Sequence, residues 1–277
     1  MIPRSGKWRA ESGKQPTPGR GLSTFHFQLS ARRRGSAGFT LIELLAVIGV
    51  IAVLAGVLAP VYMQSKRSGR RARCQSNLRQ IACAFESYAA DHSTCYPNTG
   101  NQYLWAGYYW REPIRKYVVA SAAEDRNMVL ACPADPTPPG VYAGTSYAYS
   151  ASFYMTPDQV NAVQNADYIR AKFAATNPKL PCTTVNSAAL KFAAKKVLVA
   201  EYWTLHSEKM KVGWYDDPAD TGNDPWSGER NYMFADGHVR YLSTKGIHPA
   251  DSPVVNRPRS LPDINLTRDG IAGKDVD

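Results

Sequence analysis

Four groups of side chains along the 277 residues have the types needed for chemistry. Glu43 is the only charged residue in the apolar run Phe39–Tyr62, FTLIELLAVIGVIAVLAGVLAPVY. A carboxylate in hydrocarbon is costly, so it calls for a cationic partner or a function. Asp216, Asp217, Asp220 and Asp224, with Asn223, bring oxygen donors together in a short stretch, a set of hard ligands suited to Ca²⁺. Asp236 and His238 flank Gly237 and have the types of a proton-transfer pair. The five cysteines, Cys74, Cys83, Cys95, Cys132 and Cys182, are candidates for disulfides or metal ligation.

Spacing thins this list. The acidic stretch does not follow the twelve-residue EF-hand pattern and reads by itself as a solvated loop. Asp236 and His238 lack a nucleophile and a third orienting group, so they read as a turn aspartate and a strand residue. No other nucleophile–base or metal set points to an enzyme. No CxxC is present, and Cys74 and Cys83, nine apart on one helix, point to nearly opposite sides.

The elements that would carry these residues follow from composition and periodicity. Eight of the 33 Lys and Arg, with one acid, fall in residues 1–38, so most of the net charge of +10 belongs to this Gly-, Ser-, Pro- and Arg-rich leader. The body is left with no strong nucleic-acid signal. Phe39–Tyr62 as a helix is about 36 Å long, enough for a bilayer core of roughly 30 Å. A secretory signal would put Pro60 directly after a cut at Ala59. Arg33-Arg34 is followed by GSAG rather than by the apolar residues of a twin-arginine signal, and a plain anchor leaves Glu43 unexplained. Lys66, Arg67, Arg70, Arg71 and Arg73 read as lipid-headgroup anchors rather than a DNA patch. Cys74, Leu78, Ile81, Phe85 and Tyr88 form an apolar stripe on one face of a helix continuing to about Ala90. Asp91–Thr94 and then Pro97 end it.

Beyond Pro97 the pattern turns to β-type runs. Thr145–Met155 and Lys196–Trp203 read as strands, and Asn231–Leu242 as a hairpin turning on the two residues Asp236-Gly237. A helix is expected around Asp158–Ala174. The fold class is α+β: a long amino-terminal helix, membrane-spanning and then amphipathic, packed on an antiparallel sheet. The expected divisions are leader 1–38, membrane or assembly half-helix 39–62, amphipathic half-helix 63–92, head 93–250 and flexible tail 251–277.

GFTLIELL behind a basic leader resembles the amino-terminal signal of type IV pilins and type II secretion pseudopilins. The resemblance implies cleavage after Gly38 on the cytoplasmic side by a prepilin peptidase, N-methylation of Phe39, and a role for Glu43 in methylation and assembly. There Glu43 would neutralise the Phe39 amine of a neighbouring subunit, since two buried charges are tolerable only as a pair. Pro60 sits where this family often has a helix-loosening proline. The leader is long for the family, which points to a start codon further downstream. RCQSNLRQIACAFESYAADH, CPAD, TSYAYS and NYMFADGHVRYL are similar to a group of bacterial pseudopilin-like proteins with a processing-associated signature, a histidine, nine residues, then Asp-Gly. Asp236-Gly237 matches, but Trp226 stands where that histidine would be.

The family likeness implies a pilin-like, pilus or pseudopilus subunit that needs no cofactor, with Ca²⁺ at Asp216, Asp217, Asp220 and Asp224 as the family's optional addition. Its partners would be prepilin peptidase, neighbouring subunits, the inner membrane and an assembly platform. The leader would be cytoplasmic, the chain single-pass and the head periplasmic or extracellular. An exported head permits a disulfide, and Cys95 with Cys132, both at its edges, is the expected pair. The other reading is a membrane-tethered binding module for DNA uptake, adhesion or glycans. It would use an exposed cluster of Tyr103, Trp105, Tyr108, Tyr109, Trp110 and Arg111.

Overall fold

The computed structural model describes residues 38–98, 110–118, 129–135, 145–162, 183–207, 228–249, 263–265 and 267–277. Helix α1, Leu41–Asp91, runs through Pro60 without ending. It stops because Ser93 and Thr94 turn left-handed, at φ 53° and 60°. The Thr94 N–H then donates to Ala89 O at 2.8 Å, satisfying a last-turn carbonyl in the manner of a Schellman cap. Cys74, Leu78, Ile81, Phe85 and Tyr88 are all buried, as the stripe predicts, joined by Asn77, Ala82 and Ala84.

That stripe packs on aromatic side chains of the head. Phe85 lies 5.7 Å from Trp110 and 5.2 Å from Tyr149, and Tyr149 in turn lies 5.6 Å from Tyr154. Each large apolar side chain so buried contributes roughly 1.5–3 kcal/mol. Polar ties set the register: Asn77 Nδ2 donates to Ala131 O at 3.1 Å and Gln75 Nε2 to Asn231 Oδ1 at 3.0 Å. A short helix α2, Arg111–Ile114, follows Trp110, and α3 covers Pro157–Ala162; the rest of the helix expected to Ala174 lies outside the described residues.

Four strands form one antiparallel sheet in the order β1-β2-β3-β4: Tyr147–Tyr149, Val197–Glu201, Glu229–Phe234 and Val239–Ser243. The expected strand Thr145–Met155 is thus reduced to three residues. Ser150 Oγ accepts the Ser152 N–H at 3.3 Å and donates to Ile264 O at 2.7 Å, which turns the chain into a 3₁₀ helix at Ala151–Phe153. The β3–β4 hairpin has a three-residue loop, Ala235-Asp236-Gly237, instead of the expected two. Phe234 pairs with His238 across it, and Gly237 takes φ 84°. A left-handed third residue with a bulge is the usual form of such a loop, and glycine meets it without strain.

Both faces of the sheet are covered. Tyr147, Tyr149, Leu198, Val199 and Met233 join the core that contains the α1 stripe. Val197, Ala200, Tyr232 and Phe234 join a second core with Ile247, Ile264 and Val276. A register shift between Val197 and Val199 puts the consecutive Leu198 and Val199 into one core. This explains why β2 is buried at every position. The flexible tail expected at 251–277 is therefore corrected for 263–265 and 267–277: this segment closes the second face of the sheet. Asp275 N–H donates to Lys195 O at 2.9 Å, and the Lys196 ammonium meets the Asp275 carboxylate at 2.8 Å, both side chains fully buried.

Burial pushes the phenols of Tyr147, Tyr149 and Tyr232 up, and that of Tyr96 up to about 12 with Glu86 adding to the effect. An unfolded tyrosine ionises near pH ~10. Through the window above that, the folded chain still holds protons that the unfolded chain has released, so stability falls as pH rises. The stabilising contribution is full below pH ~10 and is lost toward pH ~12. Phenolate absorbance in a pH titration should lag behind that of the urea-unfolded chain and then rise together with loss of near-ultraviolet dichroism. If every phenol ionised near pH ~10 with the fold intact, this burial would be contradicted.

Candidate processing and assembly site

The helix start is built by the residues around Glu43. Thr40 N–H donates to Glu43 Oε2 at 2.8 Å, Thr40 Oγ1 donates to the same oxygen at 2.7 Å, and Glu43 N–H donates to Thr40 Oγ1 at 3.3 Å. This is a capping box, Thr40 at the N-cap and Glu43 three residues on, which satisfies donors that a helix end otherwise leaves unpaired. The carboxylate also lies at the positive end of the helix dipole. The Thr-x-x-Glu spacing was the signal for it, hidden behind the more conspicuous charge-in-lipid question.

Gly38 and Phe39 precede the cap, and Phe39 is exposed. A Cβ on Gly38 would meet nothing within 4 Å, so the folded chain itself does not require glycine there. A requirement for it would come from something that approaches this backbone from outside. Leu41, Ile42, Leu44, Leu45, Val47 and the apolar residues that follow as far as Met63 are all exposed, around the whole helix circumference. A helix apolar all round is matched to lipid or to other apolar helices. Among the described residues it is the one helix long and apolar enough to cross a membrane.

The basic residues Lys66–Arg73 follow on α1; Arg71 places its guanidinium 4.7 Å from the ring centre of Tyr241. His238 Nδ1 and Asp236 Oδ1 are 2.5 Å apart, the carboxylate also accepts His238 N–H at 3.2 Å, and the imidazole stacks on Phe234 at 4.3 Å. The pair braces the hairpin turn, as its spacing predicts.

The disulfide is corrected. Cys132 bonds to Cys74, not to Cys95, with Cα atoms 5.3 Å apart. Cys74 heads the buried stripe of α1, and the Asn77–Ala131 hydrogen bond brings the 129–135 segment against it. Cys95 instead lies just past the helix end in a backbone bridge with Asn186, its thiol free, and Cys83 is free on the exposed side of α1. Cys182 lies outside the described residues, as do Asp216, Asp217, Asp220 and Asp224, Trp226 and the aromatics Tyr103, Trp105, Tyr108 and Tyr109. Of the proposed aromatic binding face, Trp110 is fully buried in the core, which takes it out of any exposed cluster.

Sequence reasoning missed Glu201 and His206, which stand beside the disulfide. Their separation from both cysteines along the chain left no local pattern to find.

The prokaryotic N-terminal methylation motif matches residues 33–59, which spans Gly38, Phe39 and Glu43. The chain is 34% identical over 68 residues to type II secretion system core protein G of Klebsiella michiganensis, covering 24% of this chain and 47% of that protein. It is 31% identical over 68 residues to the protein of the same name from Pseudomonas aeruginosa, with the same coverage. The chain thus spans about half the length of the curated relatives it matches. No solved structure matches it. The methylation motif at residues 33–59 and the apolar helix that starts inside it support a pilin-like protein, and the long helix with a four-stranded antiparallel sheet is of the α+β class.

Proposed function

We propose that the chain is a structural subunit of a type II secretion pseudopilus or a type IV pilus, cut after Gly38 by a prepilin peptidase and N-methylated at Phe39. The observation that carries this reading is the methylation motif over residues 33–59; the proposed cut after Gly38 would leave Phe39 as the one residue before the N-cap Thr40. A cut there leaves a cationic amine on Phe39, next to the N-cap Thr40 and against the positive end of the helix dipole. Glu43 supplies the compensating charge. In a filament, the amine of one subunit and the Glu43 of its neighbour form the pair, and the exposed apolar turns of α1 bury against other copies. Before assembly the same turns rest in the inner membrane, with the leader on the cytoplasmic side and the head beyond it. The partners are the peptidase, neighbouring subunits and an assembly platform, and the role is structural rather than catalytic.

The test is intact mass and amino-terminal sequencing of the membrane-extracted protein, from cells with and without the prepilin peptidase. The expected product begins at Phe39 and is heavier by one methyl group, only when the peptidase is present. A mature chain beginning after Ala59, or one that keeps residues 1–38 in both strains, would overturn the reading.

A further inference from the structure

Cys74, Cys132, Glu201 and His206 meet in the head, where α1, the 129–135 segment and the end of β2 converge. One ligand atom from each lies within 4.8 Å of those of the other three. His206 Nε2 is 3.3 Å from Cys132 Sγ and 3.1 Å from Glu201 Oε1. The side chains of His206 and Glu201 are 3% and 0% exposed. The sulfurs are equally enclosed.

Two features of this cluster exceed what a structural disulfide needs. A disulfide is neutral and offers nothing to a buried carboxylate, yet Glu201 is held against it by Asn231 N–H and Asn231 Nδ2, each at 2.9 Å. Outer hydrogen bonds of this kind fix ligand carboxylates in metal centres. In addition, the Ala134 N–H points at Cys132 Sγ at 3.5 Å, across the intervening Pro133. A backbone donor aimed at sulfur favours a thiolate and is of little use to a neutral disulfide sulfur.

We propose that, in the dithiol state, Cys74, Cys132, His206 and Glu201 bind one divalent cation of the zinc class. The cysteine pair then alternates between a disulfide and a metal-holding form. In the reductive step a dithiol reductant gives two electrons and two protons to the Cys74–Cys132 bond and becomes a disulfide itself. Metal binding then releases two thiol protons to solvent, while His206 uses its Nε2 lone pair and Glu201 an ionised oxygen. Two thiolates, one imidazole and one carboxylate form a closed four-coordinate set of the kind that zinc prefers. Zinc–ligand bonds of about 2.0–2.3 Å put tetrahedral ligand atoms roughly 3.3–3.8 Å apart. The sulfurs must therefore part and the widest pairs close in from up to 4.8 Å, while His206 Nε2 already stands near such distances from Cys132 Sγ and Glu201 Oε1.

The experiment uses the full chain in detergent, reduced with a dithiol, freed of it under anaerobic conditions, and titrated with Co²⁺ and then Zn²⁺. The expected result is one Co²⁺ per chain with a thiolate-to-cobalt charge-transfer band, displaced by Zn²⁺. Zn²⁺ should also raise the melting temperature of the reduced chain. His206→Ala should weaken binding at least about tenfold while still forming the disulfide and melting cooperatively when oxidised, which separates a ligand role from a folding role. Cys132→Ser should lose most of the charge-transfer band. A reduced chain that takes up no Co²⁺ would overturn the proposal. So would equal Co²⁺ affinity in His206→Ala, or a reduced chain that unfolds and regains no cooperative melt with Zn²⁺.

Discussion

Asp275→Ala is expected to destabilise the head by about 3–5 kcal/mol, the usual cost of removing one partner from a buried ion pair. Asp275 Oδ1 accepts from Lys196 Nζ at 2.8 Å and from Thr267 Oγ1, while Oδ2 accepts the Val197 N–H at 2.7 Å. Without it, the Lys196 ammonium stays in the second core and donates only to the neutral Thr267 Oγ1, 2.7 Å away, in place of a carboxylate. The Val197 N–H at the start of β2 loses its acceptor as well. For a unit of this size the loss corresponds to a fall in melting temperature of roughly 6–20 °C. The decisive comparison is the double variant Lys196→Met/Asp275→Leu, which removes both charges and should recover most of the loss, because an apolar pair pays no desolvation cost. Thermal melts of the full chain in detergent, followed by near-ultraviolet dichroism, measure both variants. A single variant within about 1 kcal/mol of the parent would mean that residues 267–277 do not hold the second core.

Glu43→Gln is expected to reduce incorporation into filaments by about 100-fold or more, the factor set by leaving the Phe39 amine unpaired in an apolar interface. The choice of glutamine matters because alanine would remove the helix cap together with the proposed charge pair. Glutamine at this position still closes a capping box on Thr40, so the helix start survives while the charge is gone. Glu43→Ala should lose both, with the cap contributing only about 1 kcal/mol. Membrane insertion of either variant should be unimpaired or improved, since a charge has left the span. The measurement is the amount of each variant in filaments sheared from cells that carry the chain's own assembly machinery, set against the amount in the membrane. If Glu43→Gln assembles like the parent and Glu43→Ala does not, the carboxylate serves the helix cap rather than the subunit contact.

Much of the architecture was legible because it rests on short-range pattern. The apolar run and its lone glutamate are contiguous in the chain, and the Cys74–Tyr88 stripe repeats with the helical period, so neither depends on what the head does. The local pairing of Asp236 with His238 is legible for the same reason, since both lie on one hairpin, although β4 begins only at Val239, so His238 is not the strand residue expected. The errors came where partners are far apart in sequence. Cys95 and Cys132 appeared suited to each other as edges of the head. The α1 stripe instead delivers Cys74 to Cys132, 58 residues away, because Asn77 fixes that segment one turn further on. The segment after 251 looked unstructured because its apolar residues have no period, yet Ile264, Ile271 and Val276 are each buried. Only a sheet with a second apolar face gives them somewhere to go.

The sequence by itself determined the membrane-compatible helix, the methylation motif at its start and the amphipathic continuation, because hydropathy and helical period act over a few turns. Tertiary structure alone decided the disulfide partner, the buried Lys196–Asp275 pair, and the meeting of Glu201 and His206 with two sulfurs. Each of these joins residues whose proximity is created by packing the sheet between α1 and the carboxy-terminal segment, and packing of that kind leaves no local mark in a chain.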